Sequence, residues 1–343
     1  MSRRRLYLDR APGETRGVVT LDGRPERLLI ARPGDIAVQQ LGARLVARIA
    51  CLERGLASAF LDLGEGPQAI LPLTPGLMEG AAVEIEVTAE ARSGKGAVAR
   101  LIGPAEGAPR LLAAAPSLEA RLAACAPGVA IDASPAARDV ADAAQDAALA
   151  IEHPLPGGGS IAVEPTRALT AVDVDLGGRT GDARRAVRAA NLAAVAEAAR
   201  VLRLKGLGGL VVIDLIGKGH DGAALSAAAK AAFAPDEPGV GIGPISRFGA
   251  FELVVPRGAR PVAEVLCDAD GRLSALTRGL AVLRGLERAA LADPGARLVG
   301  RAAPDAAAAA SLHIGDLTAR IGARAEVRPD PGLVGEQFEI DTL

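Results

Sequence analysis

Two aspartates interrupt apolar, strand-like stretches. Asp173 stands in Thr170-Ala171-Val172-Asp173-Val174-Asp175, and Asp214 stands in Leu210-Val211-Val212-Ile213-Asp214-Leu215-Ile216. A carboxylate in a buried strand is costly unless it is paired or holds a metal. Strands joined by one crossover helix tend to lie side by side, so both acids could converge on one point. Two carboxylates with open water positions are what Mg²⁺ uses beside a phosphate substrate, where it activates water and neutralises charge. The other reading is that each acid pairs with a buried Arg or caps a turn.

A second motif competes. Gly217-Lys218-Gly219-His220-Asp221-Gly222 has the form G-x-G-x-x-G, follows a strand and opens a helix, the context of a dinucleotide fingerprint. The acid expected about 20 residues on falls in Pro235-Asp236-Glu237-Pro238, a loop by its prolines. The same stretch also reads as a flexible strand-to-helix loop. His220 is a conceivable general base or a solvated loop side chain. Ser246-Arg247-Phe248-Gly249 offers a guanidinium and an aromatic face, a pair that can hold a nucleic-acid backbone and stack a base. Arg247 in an ion pair beside a core Phe248 is the alternative. Phe60 and Lys95 invite the same comparison.

The elements that must position these residues divide by pattern. Residues 6–32 alternate in short runs, with Asp22-Gly23 as a hairpin signal. Residues 36–102 continue as short strands punctuated by Gly and Pro, spaced as in a small barrel. Residues 103–134 are Pro-containing and Ala-rich, a connector with one short helix. Ser134-Pro135 should open a helix over 135–151. An α/β pattern follows: strands over 160–163 and 169–175, a long helix over 183–204, a buried strand over 208–216, a helix over 222–233 and a strand over 251–255. A helix over 272–292 leads to a tail with strands and one Ala-rich helix.

Composition narrows the class. The 343 residues carry 39 basic and 41 acidic side chains, a net charge of -2, which excludes a polybasic or histone-like protein but allows a local basic groove. Lysine occurs at Lys95, Lys205, Lys218 and Lys230, so the cations are nearly all arginine. Cys51, Cys125 and Cys267 are too scattered for a disulfide framework, which fits a reducing cytoplasm. The basic start lacks an apolar signal-peptide region, and no apolar run suggests a membrane span.

Together these residues resemble the ribonuclease E/G family of endoribonucleases. The likeness rests on Gly159-Ser160-Ile161, Thr166-Arg167-Ala168-Leu169-Thr170-Ala171-Val172-Asp173, Asn191-Leu192, Leu202 to Gly209, Val212-Ile213-Asp214, and Ile245 to Gly249 with Glu252. Pro12 to Arg16, Gly55 to Gly64, Gly94 to Ala97 and Gly335 to Phe338 extend it towards both ends. The resemblance implies an α/β multidomain chain. An N-terminal β segment (1–35) and an S1-like, OB-type barrel (36–102) precede the shortened connector (103–134). An α/β nuclease domain (135–270) and a small α/β C-terminal domain (271–343) follow. It implies Mg²⁺-dependent hydrolysis of single-stranded RNA, with Asp173 and Asp214 as catalytic metal ligands and Asp175 as a third ligand. Phe60, Lys95, Arg247 and Phe248 would contact RNA, and Gly217 to Gly222 becomes an ordinary loop.

The chain also departs from the family pattern. Asp175 stands where the family has Asn, Gly217 where it has a further acid, and Ile70 where a second stacking aromatic belongs. Residues 103–134 are too short for the family's 5′-end sensor. Cys267-Asp268-Ala269-Asp270 keeps one sulfur of a C-x-x-C pair, so neither a zinc link nor a zinc-bridged dimer is expected, and the oligomeric state stays open. A binding protein of the same fold with weak or lost cleavage is the alternative function.

Overall fold

The structure is a computed structural model that describes residues 3–92, 94–178, 182–236 and 239–343. Glu237 and Pro238, in the loop where the fingerprint's acid would fall, lie outside the described residues, as do Met1 and Ser2.

The chain opens with strands Arg4–Ala11, Glu14–Leu21 and Arg24–Ala31. Asp22 and Gly23 take φ 51° and 81°, the two left-handed positions of the tight hairpin their types signal. A short strand, Ile131–Asp132, adds to this sheet parallel to the first strand.

A closed five-stranded barrel follows, built from Arg44–Glu53, Ser58–Asp62, Ala69–Pro72, Ala82–Ala89 and Val98–Pro104. The long first strand pairs with 82–89 along its first half and with 58–62 along its second. Ala69–Pro72 closes the barrel by meeting 98–104 in parallel. Alternate side chains point inward, and Leu45, Ile49, Leu61, Leu71 and Ile85 fill the interior.

The connector carries more structure than its composition suggests. Leu118–Cys125 is the expected helix, with Ser117 Oγ accepting the Ala120 N–H at 3.2 Å. Arg110–Ala113 pairs with the barrel's first strand, and Leu118 and Leu122 pack on the N-terminal sheet. The next helix is Ala136–Leu149. Its entry makes no side-chain cap, because the cap position is Pro135, which carries no side-chain acceptor; the preceding Ser134 N–H donates to the Asp132 carboxylate at 2.8 Å.

The α/β unit is a six-stranded sheet in the order 152–154, 160–165, 170–175, 209–214, 250–255, 241–245. Helices Ala183–Lys205 and Gly222–Phe233 cover one face, over Ile161, Val172, Val211, Ile213, Phe251 and Leu253. The opposite face is open: Asp173, Asp175, Leu210, Asp214, Glu252 and Val254 are exposed on it. A glycine- and proline-bearing edge strand, Gly241–Ile245, has too little β propensity to be read from sequence.

The final unit packs helices Ala275–Ala292, Pro304–Ser311 and Ile314–Ile321 on strands Leu298–Ala302, Ala325–Pro329 and Phe338–Thr342. Ile314–Ile321 is a helix beyond the single one expected in the tail. Among the described residues no helix is long and apolar enough to cross a membrane.

Candidate functional site

Strands 170–175 and 209–214 run parallel, joined by the crossover helix Ala183–Lys205. Their register pairs Asp173 directly with Asp214. Adjacent strands lie about 4.8 Å apart, so two carboxylates rise side by side from the sheet. The expectation that they sit inside buried strands is corrected: both point to the open face, and burial falls on Val172, Val174, Val211 and Ile213 between them. Neither makes an ion pair or side-chain hydrogen bond among the described residues, so the paired-Arg and turn-cap readings do not apply.

Asp175 shares the open face two residues further along the strand, and its Oδ1 accepts the Gly177 N–H at 3.0 Å. It faces Ser160 across the neighbouring strand, beyond the Asp173–Asp214 row. Among the described residues no three acids, histidines or cysteines gather as a ligand set. The chemistry of the donor pair fits Mg²⁺ nevertheless: two unneutralised oxygen ligands beside open solvent leave most of an octahedral shell to water and substrate.

Arg247 and Phe248 occupy the turn between strands 241–245 and 250–255, next to the Asp214 end of the sheet, since Asp214 pairs with Ala250. Phe248 is 79% exposed, and the Arg247 guanidinium stacks 4.6 Å from its ring centroid. The reading of Phe248 as core is thereby removed. The two residues help line a cleft of about 1030 Å³ with Lys218, His220 and Ser246. Among the described residues, His220 Nε2 is buried without a hydrogen-bond partner, against Gly249. The Gly217–Gly222 loop lies on this cleft, its Asp221 capping the Ala224 N–H at 3.0 Å and pairing with Arg188 at 2.9 Å.

On the barrel, Phe60 is half-buried between the inward-facing Ala59 and Leu61, so its ring lies on the outer surface. Its cross-strand neighbour is Ile70, which in turn meets Val98. Phe60 and the aliphatic replacement for a second ring are thus brought together. Lys95 is exposed at the barrel's end and lines a different cleft, of about 690 Å³, between the barrel and the far end of the sheet. Arg92, Arg167 and Arg257 line it too, and no motif spacing in the sequence links these residues.

Residues 138–257 match the model of the "Ribonuclease E/G family". The chain carries a ribonuclease E/G segment. Ribonuclease E of Haemophilus influenzae is 36% identical over 150 residues, covering 40% of this chain and 16% of that protein. Ribonuclease E of Escherichia coli is 41% identical over 103 residues, covering 29% and 10%. A ribonuclease E/G-like chloroplastic protein of Arabidopsis thaliana is 32% identical over 135 residues, covering 36% and 14%. The chain therefore aligns with a minor part of each relative's length. The ribonuclease E/G segment contains both the Asp173–Asp214 pair and the Arg247–Phe248 turn.

Proposed function

We propose that this chain is a Mg²⁺-dependent endoribonuclease that hydrolyses phosphodiester bonds within single-stranded RNA, acting in the cytoplasm in RNA processing or decay. The observation that carries the reading is the side-by-side, cation-free Asp173–Asp214 pair inside a ribonuclease E/G segment. Asp173 and Asp214 would hold Mg²⁺. When bound, that ion supplies charge neutralisation and an activated water for the displacement. Arg247, held over Phe248, would steady the RNA backbone beside the acids, with Phe248 free to stack a base. Phe60 and Lys95 would bind the strand on an S1-like barrel. The three thiols are unpaired, which accords with a reducing compartment. No zinc link enters this reading, since Cys267 is followed by acids where a second thiolate would be needed.

An RNA-binding protein of this fold with weak cleavage is the second reading. It is favoured by Asp175, whose carboxylate is turned onto Gly177, and by Ile70 beside Phe60. Cleavage of a fluorescent single-stranded RNA with Mg²⁺ or with chelator separates the two. We expect Mg²⁺-dependent cutting that Asp173→Asn and Asp214→Asn each reduce by at least about a hundredfold, since each removes a charged ligand from a minimal set. Wild-type rates in both variants would show that the acids are not the metal site.

A further inference from the structure

The second cleft has a composition of its own. Lys95 and Arg92 come from the barrel end, where the two residues bridge antiparallel. Arg167 comes from the turn before strand 170–175, and Arg257 from the chain leaving strand 250–255. Three separate elements thus deliver four cations to one opening. Glu264 is the acid on its wall. Among the described residues, Arg92, Lys95, Arg167 and Arg257 form no ion pair.

Arg257 is placed by the backbone. Arg257 Nε donates to the Gly208 carbonyl at 3.2 Å, laying its guanidinium across Gly209, which has φ +98°. A Cβ at Gly209 would displace the end of that guanidinium, and the positive φ is itself a conformation that favours glycine. Glu90 fixes the two walls together: its N–H donates to the Gly258 carbonyl at 2.8 Å, and its carboxylate accepts the Arg260 N–H at 2.9 Å. Burial, and then the positive charge of Arg257, hold the Arg92 pKa below the usual guanidinium value. Like charges crowded on a rigid opening lower their mutual repulsion by taking up an anion.

The position of the cleft identifies that anion. It lies where strands 170–175 and 209–214 begin, and Asp173 and Asp214 lie near their other end. Five residues of strand span about 16 Å, a distance that a short stretch of one nucleic-acid strand can bridge. The open face between carries exposed Leu210 and Val254, with Glu252 as its acid. Lys95 continues the route onto the barrel, three residues before Val98 in the Phe60–Ile70–Val98 row. We infer that the Arg92–Lys95–Arg167–Arg257 cleft binds backbone phosphates of single-stranded RNA about 16 Å from the Asp173–Asp214 pair, anchoring the strand that this pair cuts.

This inference rests on the RNA-directed reading above, so its test measures binding without cleavage. The full-length protein would be titrated into a fluorescein-labelled single-stranded 20-mer in chelator, at 50 to 200 mM salt. Each phosphate contact to a single strand contributes about 0.7 to the log–log salt slope. An Arg167→Gln/Arg257→Gln double variant should therefore lose about 1.4 of slope, so its affinity falls about sevenfold less than wild type's across that salt range. The double Lys variant should restore the slope, and the melting temperature reports folding in each. Unchanged slope and affinity in a folded Gln variant would overturn the inference, as would wild-type protein that binds no RNA. A wild type that binds but never cleaves, with slope lost in the variant, would overturn the nuclease reading and leave the cleft standing.

Discussion

His153 is 3% exposed on the short strand Glu152–Pro154, and among the described residues its Nε2 finds no hydrogen-bond partner. Burial, and then the charges of Lys205 and Arg200, push its pKa down to about 4. In the unfolded chain a histidine titrates near about 6.5. Between these values the unfolded state binds the extra proton, so stability falls as pH drops through that window and levels off below about 4. The whole window is worth about 3 kcal/mol. Carboxylates such as Glu26 and Glu197, held low by arginines, lose stability over neighbouring pH, so the difference from a variant isolates the histidine. Urea unfolding of wild type and His153→Leu at pH 7.5 and 4.5 should show a smaller loss in the variant. An identical loss in both would mean that His153 is protonated in the fold. Lys205 is the matching case at high pH: its Nζ donates to the Ala150 carbonyl at 2.5 Å, and burial lowers its pKa to about 8.

At the scale of elements, the barrel row Phe60–Ile70–Val98 offers one ring where an RNA-binding barrel uses stacking platforms. Phe60→Ala should weaken single-stranded RNA binding by about 1–3 kcal/mol, and Ile70→Phe should strengthen it. Because Ala59 and Leu61 fill the interior and Phe60 does not, Phe60→Ala should leave the melting temperature nearly unchanged. Anisotropy and thermal melts on the same variants check both, and a folded Phe60→Ala with wild-type affinity would remove this residue from the interface. The same alternation explains what the sequence disclosed. Helix 222–233 and the Asp22-Gly23 hairpin were legible because local periodicity and turn chemistry determine them. The Asp173–Asp214 pairing was legible because strands joined by one crossover helix tend to be parallel neighbours. The open sheet face was not, since which face the helices cover depends on packing far along the chain. Arg167 and Arg257 were hidden for the same reason: 89 intervening residues separate side chains that only the fold brings to one cleft. Strand 110–113 was hidden because every residue in it is exposed, leaving no alternation to read.

At the scale of the molecule, a buried ionic network joins the two ends of the chain. Arg16 is fully buried on the N-terminal sheet, with Asp9 at 2.6 Å and Asp142 of helix 136–149 at 2.8 Å. Glu14 pairs with Arg32 at 2.7 Å and with Arg284 of helix 275–292 at 3.1 Å. Arg138 bridges Asp9 at 3.1 Å and Glu287 at 2.7 Å, and Arg320 of helix 314–321 completes the set on Glu287. These contacts hold the C-terminal unit against the N-terminal sheet through charge rather than through a shared apolar core. Removing one member weakens the set: Arg16→Met takes the closest cation from both Asp9 and Asp142, leaving Asp9 to Arg138 and Asp142 to Arg284 and Arg288. Breaking a buried pair on one side costs about 3–5 kcal/mol. Arg100, exposed on the barrel and paired with Glu86 at 2.7 Å, supplies the contrast, because solvent-screened pairs contribute about 0–1 kcal/mol. In urea, Arg16→Met should unfold at a clearly lower midpoint than wild type, and Arg100→Met close to wild type. If the network couples the two ends, fluorophores attached at opposite ends should report one shared transition in wild type. Equal midpoints for the two variants would show that the buried network adds no more than a surface pair does.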